Sequence, residues 1–185
     1  CKMNLAIRGI AHDLGSTNAS TFTNDLHKDK TVNYIMANPP FNLKNWRGED
    51  ELLNDPRWSA YNVPRSSNAN YAWILHMLSK LDVNNGIAGF LLANGALNDE
   101  DEYENRKKLI ENDKVEAIIV LPRDMFYTTD ISVTLWILNN NKKAGIVNGR
   151  KVRDRRGEIL FVDLRTWNEN IESYKLDKGT KKKLF

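Results

Sequence analysis

The segment Asn38-Pro39-Pro40-Phe41 carries the residue types best suited to chemistry in this 185-residue sequence. Proline has no N–H and a fixed φ, so two consecutive prolines give a rigid backbone that is rich in carbonyl acceptors. The Asn38 side chain adds an amide oxygen. Two acceptors at a fixed separation can receive both hydrogens of an exocyclic amino group, and the Phe41 ring can stack on the planar group that carries it.

These residues suit the methylation of a planar amine. The lone pair of such a nitrogen is delocalised, and acceptors that hold both N–H groups favour a pyramidal nitrogen whose lone pair is available. A methylsulfonium donor is already reactive, so proximity contributes most and no general base is required. A base within duplex DNA must first be flipped out, and stacking on Phe41 would offset part of the lost base stacking. The alternative is a proline-stiffened turn with no chemical role.

The preceding apolar run positions this segment. Residues 31–37 predict a strand, and the motif follows at its carboxyl end. In open α/β sheets, ligands bind beyond the carboxyl ends of the strands. The sequence therefore predicts a binding site at residues 38–41.

The remaining pattern alternates between helices and strands. Helical spacing predicts helices over residues 1–12, 71–81 and 102–112, and short apolar runs predict strands over residues 87–93, 115–121, 132–138 and 158–164. This alternation indicates an α/β domain with a largely parallel sheet. Because no helix separates VEAIIVL from SVTLWIL, we expect these two strands to form an antiparallel pair at one edge. The polar residues 13–30 and 42–68 predict loops.

Composition excludes several classes of protein. The chain has the size of one domain, and its 41% hydrophobic residues allow a core without any run long enough to cross a membrane. The single cysteine, Cys1, excludes an internal disulfide framework and a multi-cysteine zinc site, and it favours a reducing compartment, the cytoplasm. Three scattered histidines predict no metal site. A net charge of +3 permits a nucleic-acid partner.

Longer stretches of the sequence resemble a known family. Asn38-Pro39-Pro40-Phe41 is similar to the catalytic motif of S-adenosylmethionine-dependent amino methyltransferases in its adenine-N6 form. The surrounding segments resemble the modification (M) subunit of type I restriction–modification systems, in the right order over nearly the whole chain. They are NLAIRGI (4–10), Asn24-Asp25, DPRW (55–58), NANYAWILHML (68–78), GIAGFLLANGAL (86–97), LPRDMFYTTDISVTLWIL (121–138) and GEILFVDLR (157–165).

The resemblance implies roles for particular residues. Asn38, Pro39 and Phe41 would be the amide acceptor, the carbonyl acceptor and the stacking ring for the target adenine, and Pro40 completes the motif. Asp25 and Asn38 would contact S-adenosylmethionine, with the Asp25 carboxylate at its adenine end. A local turn is the alternative role for Asp25.

The second wall of the base pocket would come from Phe126 or Tyr127, for which core packing is the alternative. The implied partners are DNA, a specificity (S) subunit and a restriction (R) subunit, with no membrane.

The resemblance also shows what these residues lack. The family has a glycine-rich turn and an acidic residue after its first two strands, and no G-x-G occurs here. We therefore expect the C-terminal part of a Rossmann-like methyltransferase sheet, without its N-terminal cofactor-binding strands. Residues 1–30 would lead into the catalytic strand and residues 31–185 would carry the catalytic motif and a C-terminal extension. Alone, such a fragment should be inactive and bind the cofactor weakly.

Several other residues have simpler interpretations. We expect His76 to be structural, Trp46 and Trp58 to anchor their loop rather than touch DNA, and the cluster of Arg153, Arg155 and Arg156 to be a solvated loop rather than a phosphate contact. The lysine-rich tail, residues 175–185, is typical of a solvated chain end.

Two alternative functions stay open at this point. The chain could belong to an amino methyltransferase acting on RNA or on a protein glutamine, or to an idle module that only binds DNA or partner subunits.

Overall fold

The protein forms two compact units in a computed structural model, which describes residues 1–123, 125–126, 130–147 and 149–167. The first unit is Cys1–Lys30 and the second is Thr31–Phe185. Among the described helices, none is long and apolar enough to cross a membrane. Within the same residues, no group of three metal-ligating side chains is close enough to hold an ion.

The first unit contains one short helix, α1, at Lys2–Ile7. Gly9 ends it, because Gly9 has a φ of +63° and its N–H bonds back to the carbonyl of Ala6, while Ile10 N–H bonds to the carbonyl of Leu5. This pair of bonds is a Schellman motif, in which a left-handed glycine satisfies the last carbonyls of a helix. The helix predicted over residues 1–12 is therefore too long.

The second unit is built on a five-stranded sheet in the order β1-β2-β4-β3-β7. Strands β1 and β2 are parallel, β4 is antiparallel to both β2 and β3, and β7 is parallel to β3. The strands are β1 (Tyr34–Ala37), β2 (Ile87–Ala93), β3 (Val115–Val120), β4 (Val133–Asn139) and β7 (Leu160–Asp163). The predicted α/β sheet is confirmed.

One detail of the predicted topology is wrong. The antiparallel pairing of β3 with β4 is confirmed, but β4 lies between β2 and β3 rather than at an edge. Its residues Val133, Trp136 and Leu138 are at most 3% exposed. A strand with this much apolar surface is more stable inside a sheet, where neighbours cover both faces and satisfy both backbone edges.

In the described part of the second unit, two α-helices accompany the sheet: α2 spans Asn70–Lys80 and α3 spans Tyr103–Glu111. On α2, Ile74 and Leu75 are completely buried, as the helical spacing predicts. The Tyr71 ring meets the Trp136 ring of β4 edge-on, with 6.4 Å between their centroids. This contact places α2 against the face of the sheet, and the core lies between them.

A separate two-stranded hairpin, β5 (Gly145–Val147) and β6 (Arg150–Val152), was not predicted. Every residue of β5 is exposed, so no buried face gives the segment an apolar pattern. The sequence does carry one signal for it, since Asn148-Gly149 is a dipeptide that favours tight hairpin turns.

The amino ends of the strands are joined by a buried lysine. Lys142, just after β4, places Nζ 2.5 Å from Asp113 Oδ1, and its side chain is 1% exposed. The same ammonium donates to the carbonyls of Glu158 and Val115, at 2.5 and 3.1 Å. The Asp113 oxygen also accepts the N–H of Gly157 at 3.0 Å. The lysine therefore links the beginnings of β3 and β7 to the end of β4.

Candidate active site

Three chain segments meet the carboxyl edge of the sheet. Residues 38–41 follow β1, residues 94–97 follow β2, and residues 121–132 connect β3 to β4. Because β1, β2 and β3 run in the same direction, their ends lie at one edge. The fold therefore places the predicted catalytic motif and the predicted second aromatic wall at the same edge.

The catalytic motif is partly exposed at this edge. Asn38 and Pro40 are exposed, Pro39 is buried, and Phe41 is half-buried. Among the described residues, none donates a hydrogen bond to the Asn38 side chain or to the carbonyl of Pro39. The exposed Asn38 side chain therefore presents an acceptor to a ligand, as the chemistry proposed for the motif requires.

The Phe41 ring lies against the ring of Phe126. Their centroids are 6.0 Å apart and their planes are inclined at 70°, an edge-to-face contact. The structure therefore brings together the two aromatic residues that were predicted to flank one base. Stacked bases lie about 3.4 Å apart, so a base between two parallel rings needs about 7 Å and a smaller interplanar angle. The rings must separate before both can stack on one base.

The other candidate for the second wall, Tyr127, lies outside the described residues. The choice between Phe126 and Tyr127 stays a prediction.

A pair of asparagines holds the chain just after Phe41, and sequence reasoning missed it. The N–H of Asn42 donates to Asn70 Oδ1 at 3.0 Å, and Asn70 Nδ2 donates back to Asn42 Oδ1 at 2.9 Å. Asn70 is the first residue of α2 and is 2% exposed. The two residues are 28 positions apart, and although Asn70 lies in the segment NANYAWILHML, no local pattern links it to Asn42.

The loop after β2 is fastened to the beginning of β4. The Asn94 N–H donates to the carbonyl of Ser132 at 3.0 Å, and the Thr134 hydroxyl donates to the Asn94 side-chain oxygen. Thr134 is completely buried. These bonds fix the C-terminal end of the β3–β4 connection, which carries Phe126.

Two tryptophans anchor the long loop of residues 42–68. Trp46 and Trp58 are 6% and 2% exposed, and their rings meet edge-to-face with 5.9 Å between the centroids. Their indole N–H groups donate to the carbonyls of Arg65 and Leu52, at 2.8 and 2.7 Å. The prediction that both anchor the loop is confirmed by this burial.

His76 is structural, as predicted. From α2, its ring contacts an ion pair formed by Asp55 and Arg57 of the DPRW segment. Arg57 Nη2 lies 2.7 Å from Asp55 Oδ2, and both side chains are at most 14% exposed. Arg57 Nη1 lies 3.2 Å from His76 Nδ1, on α2. Burial alone would raise the pKa of Asp55, but hydrogen bonds and the charge of Arg57 outweigh it and hold that pKa below its ordinary value.

A buried glutamate, Glu102, fastens the end of the loop of residues 42–68 to α3. Glu102 is 3% exposed and accepts hydrogen bonds from the Arg65 N–H, at 3.1 Å, and from Asn105 Nδ2, at 2.7 Å. Asn105 Oδ1 in turn accepts the N–H of Asn62 at 2.8 Å. Burial raises the pKa of Glu102, and these hydrogen bonds compensate only in part.

Asp25, the predicted cofactor contact, belongs to the first compact unit. Its Oδ1 accepts the N–H of His27 at 2.9 Å, and the residue is half-buried. The side chain therefore makes the local turn that the sequence left as the alternative role. The predicted contact of Asp25 with a cofactor stays a prediction.

The arginine cluster before β7 is largely neutralised by nearby carboxylates. Arg153 pairs with Glu158, and Arg156 pairs with Asp154, each at 2.6 Å on the surface. Arg155, which is partly buried, lies 2.6 Å from the carboxylate of Glu116. These pairs favour the interpretation as a solvated loop over that of a phosphate-binding patch.

An apolar cavity of about 480 Å³ lies away from the motif, between α3 and the sheet. Its lining includes Leu109, Ile118, Trp136 and Phe161, and Phe161 is 72% exposed. The predicted motif does not line this cavity, so we place the candidate active site at the carboxyl edge.

The sequence matches the N-6 DNA methylase family over residues 1–184. The chain belongs to this family, and the resemblance inferred from its motifs is confirmed.

Individual relatives show which kind of N-6 DNA methylase this chain is similar to. The chain is 46% identical over 165 residues to the type I restriction enzyme HindI methylase subunit of Haemophilus influenzae, an alignment that covers 88% of this chain and 34% of that protein. It is 37% identical over 175 residues to the MjaIX methylase subunit of Methanocaldococcus jannaschii, covering 92% of this chain and 29% of that one. The chain therefore spans about a third of the length of these relatives.

Solved structures confirm the fold class. The methyltransferase subunit of a type I restriction-modification system from Streptococcus thermophilus matches with a TM-score of 0.75 and 26% identity, over 97% of this chain and 34% of that chain. The EcoKI M protein matches with a TM-score of 0.59 at 17% identity, which is a likeness of fold.

Proposed function

We propose that this chain forms the adenine-binding part of the catalytic domain in a type I modification subunit. In this proposal the full-length protein transfers a methyl group to the N6 amine of adenine in DNA. The observation that carries it is the exposed Asn38 acceptor at the end of β1, followed three residues later by the Phe41 ring in contact with Phe126.

The motif would act on the amine through its acceptors. Asn38 Oδ1 and the carbonyl of Pro39 accept the two N6 hydrogens, which leaves the nitrogen lone pair directed away from both bonds. The two prolines hold these oxygens at a fixed separation, so their orientation is settled before the substrate binds. No side chain of raised pKa is needed, because the proton leaves a nitrogen that becomes positively charged on methylation.

The aromatic residues would hold the flipped base. Phe41 stacks on one face of the adenine, and this contact replaces part of the stacking that the base loses on leaving the duplex. Phe126 or Tyr127 supplies the second face. Since Phe126 contacts Phe41 edge-on, entry of the base between them requires the two rings to part.

The methyl donor implied by the family is S-adenosylmethionine, which would supply the methyl group from a sulfonium. The two side chains of this chain predicted to contact it, Asp25 and Asn38, are a carboxylate and an amide, and oxygen acceptors of this kind suit its amine and ammonium groups. No G-x-G turn is present in these 185 residues to approach the rest of the donor. We therefore expect its main binding surface to lie in other residues of the full-length protein.

The partners proposed are those of a type I system. DNA is the substrate, a specificity subunit selects the sequence, and a restriction subunit completes the assembly. The relatives' names describe methylase subunits of type I restriction enzymes, which supports this proposal. The cytoplasmic location stays a prediction from the single cysteine.

An assay of the full-length protein with its specificity subunit tests the function. Labelled S-adenosylmethionine would be supplied with duplex DNA, with RNA of the same sequence and with a glutamine-containing protein. We expect label in DNA only, as N6-methyladenine after digestion to nucleosides. Label in RNA or in glutamine would overturn the proposed substrate. DNA binding without any transfer would overturn the proposed activity and indicate an idle binding module.

A further inference from the structure

The strongest unassigned feature of the carboxyl edge is the reciprocal hydrogen bonding of Asn42 and Asn70. Each residue donates to the other, at 3.0 Å from the Asn42 N–H and at 2.9 Å from Asn70 Nδ2. Asn42 directly follows Phe41 and has a φ of +52°, in the left-handed region that asparagine tolerates better than most residues. This backbone conformation fixes the direction in which the chain leaves the Phe41 ring.

Further bonds fix the same junction to the beginning of α2. The Ala69 N–H donates to the carbonyl of Leu43 at 2.9 Å, and the Asn70 N–H donates to Asn68 Oδ1 at 3.0 Å. Asn70 is 2% exposed, so a broken bond would leave a buried amide unsatisfied. The residues after the motif are therefore held on a helix, while Asn38 and Phe41 keep exposed surface for a ligand.

A second buried asparagine shows that this arrangement differs from ordinary packing. Asn105 is equally buried, but its bonds go to Glu102 and Asn62. The side-chain bonds of Asn70 go to Asn42, the residue next to the predicted stacking ring. Asn105 therefore anchors a loop, whereas Asn70 holds the chain next to the predicted catalytic motif.

We propose that Asn70 is a positioning residue for base stacking, acting through Asn42 to hold the Phe41 ring where the flipped adenine must lie. This inference rests on the proposed function. Asn70 has no predicted contact with the base or the methyl donor. Its effect is on the alignment of the base for transfer, because small misplacements of reacting groups can reduce a rate about 100-fold.

Two substitutions separate positioning from simple destabilisation. Asn70→Ala removes both bonds of the pair. Asn42→Gly keeps the left-handed backbone and the N–H but removes the acceptor oxygen, and it lies at an exposed position that should tolerate it. The matched control is Asn140→Ala at the amino ends of the strands, where Asn140 Nδ2 donates to the carbonyls of Leu81 and Asp82, both at 3.2 Å.

The experiment uses the complete complex of full-length modification and specificity subunits. Melting temperature, kcat and KM for a duplex with one target adenine would be measured, together with the fluorescence of 2-aminopurine at the target position. We expect Asn70→Ala and Asn42→Gly to lower kcat roughly 10- to 100-fold, with KM changed less than about threefold. The flipped 2-aminopurine should be brighter than with the wild type, as in Phe41→Ala, because it stacks less well. Asn140→Ala should lower the melting temperature without changing kcat or fluorescence.

The outcomes distinguish this inference from the proposed function. Wild-type kcat and fluorescence in both site variants would overturn the positioning role, provided that the wild type methylates adenine and Asn38→Ala does not. The positioning role would also be overturned if Asn140→Ala, at the same melting temperature as the site variants, showed the same drop in kcat. If Asn70→Ala fails to fold, Asn42→Gly decides. If the wild-type complex methylates no adenine, the proposed function fails and this inference fails with it.

Discussion

The two edges of the sheet differ in the burial and hydrogen bonding of a polar side chain, Lys142 at the amino edge and Asn38 at the carboxyl edge. At the amino edge, the Lys142 ammonium is 1% exposed and has three acceptors, on Asp113, Val115 and Glu158. At the carboxyl edge, Asn38 is exposed, and none of the described residues donates a hydrogen bond to its side chain. Buried polar groups without partners are costly, whereas exposed ones are satisfied by water until a ligand replaces it. We therefore expect the amino edge to contribute stability and, under the proposed function, the carboxyl edge to contribute binding.

Lys142→Met tests the amino edge and should have the largest effect on stability. Removing the buried Lys142 ammonium leaves the Asp113 carboxylate, which is 31% exposed, and the carbonyls of Val115 and Glu158 without their donor, so we expect a loss of about 3 kcal/mol in the free energy of unfolding. Lys143→Met, at the exposed neighbouring position, is the matched control and should change little. Denaturant unfolding of both variants measures the difference. Equal stability of the two variants would contradict the role assigned to this edge.

Phe41→Ala tests the carboxyl edge. Loss of the stacking ring should reduce methyl transfer by about 1 to 3 kcal/mol, roughly 5- to 150-fold, the range found for base–aromatic stacking. Phe41→Tyr keeps a ring and should retain most activity, whereas Phe41→Leu keeps apolar bulk and should not. Methylation rates of the complete complex decide this. If the leucine variant were as active as the tyrosine variant, stacking on Phe41 would not be the cause.

Phe126→Ala should have a smaller effect, since Phe126 contacts Phe41 edge-on and Tyr127 is a second candidate for the same wall. We expect a loss of about 1 kcal/mol, roughly fivefold in rate. A double-mutant cycle with Phe41→Ala should give a coupling of at least about 0.5 kcal/mol if both rings hold one base. Additive losses would show that the two rings act independently and would leave Tyr127 as the second wall.

Glu102 gives the smallest predicted effect, a change of stability with pH. Because burial raises its pKa in the folded protein, the fold favours the protonated carboxyl. The contribution of Glu102 to folding stability is full below the ordinary pKa of 4.5. It is lost as the pH rises through the raised pKa of the folded protein. Glu102→Gln stays neutral, so its melting temperature relative to the wild type should rise as the pH increases above 4.5. A difference between the two proteins that is independent of pH would contradict this.

Local patterns predicted the regular elements of the fold well. The apolar run of residues 87–93 predicts β2 with the bounds that the structure shows, because a strand buried on both faces leaves a continuous apolar signal. The helical spacing after residue 70 predicts α2 equally well. The end of α1 was missed because the apolar spacing continues to Ile10, beyond the left-handed turn at Gly9.

Spatial order and long-range contacts were harder to predict. Sequence order places β3 before β4, yet β4 lies between β2 and β3, and only the apolar character of both its faces hints at this. Within the site, Asn38-Pro39-Pro40-Phe41 was predicted from its residue types, whereas Phe126 was predicted only through the resemblance to the family. The pairing of Asn70 with Asn42 was missed because it joins residues 28 positions apart, which no local pattern records.

The most direct test of the central claim is Asn38→Ala in the complete complex, measured as N6-methyladenine formed in duplex DNA. Asn38 is exposed, so its loss should leave the melting temperature unchanged. We predict a fall in methyl transfer of about 100-fold or more, as expected when a preorganised group that binds the reacting atom is removed. Asn140→Ala, at the opposite edge, should methylate at the wild-type rate per folded molecule. Methylation by Asn38→Ala at the wild-type rate would contradict the assignment of the carboxyl edge as the active site.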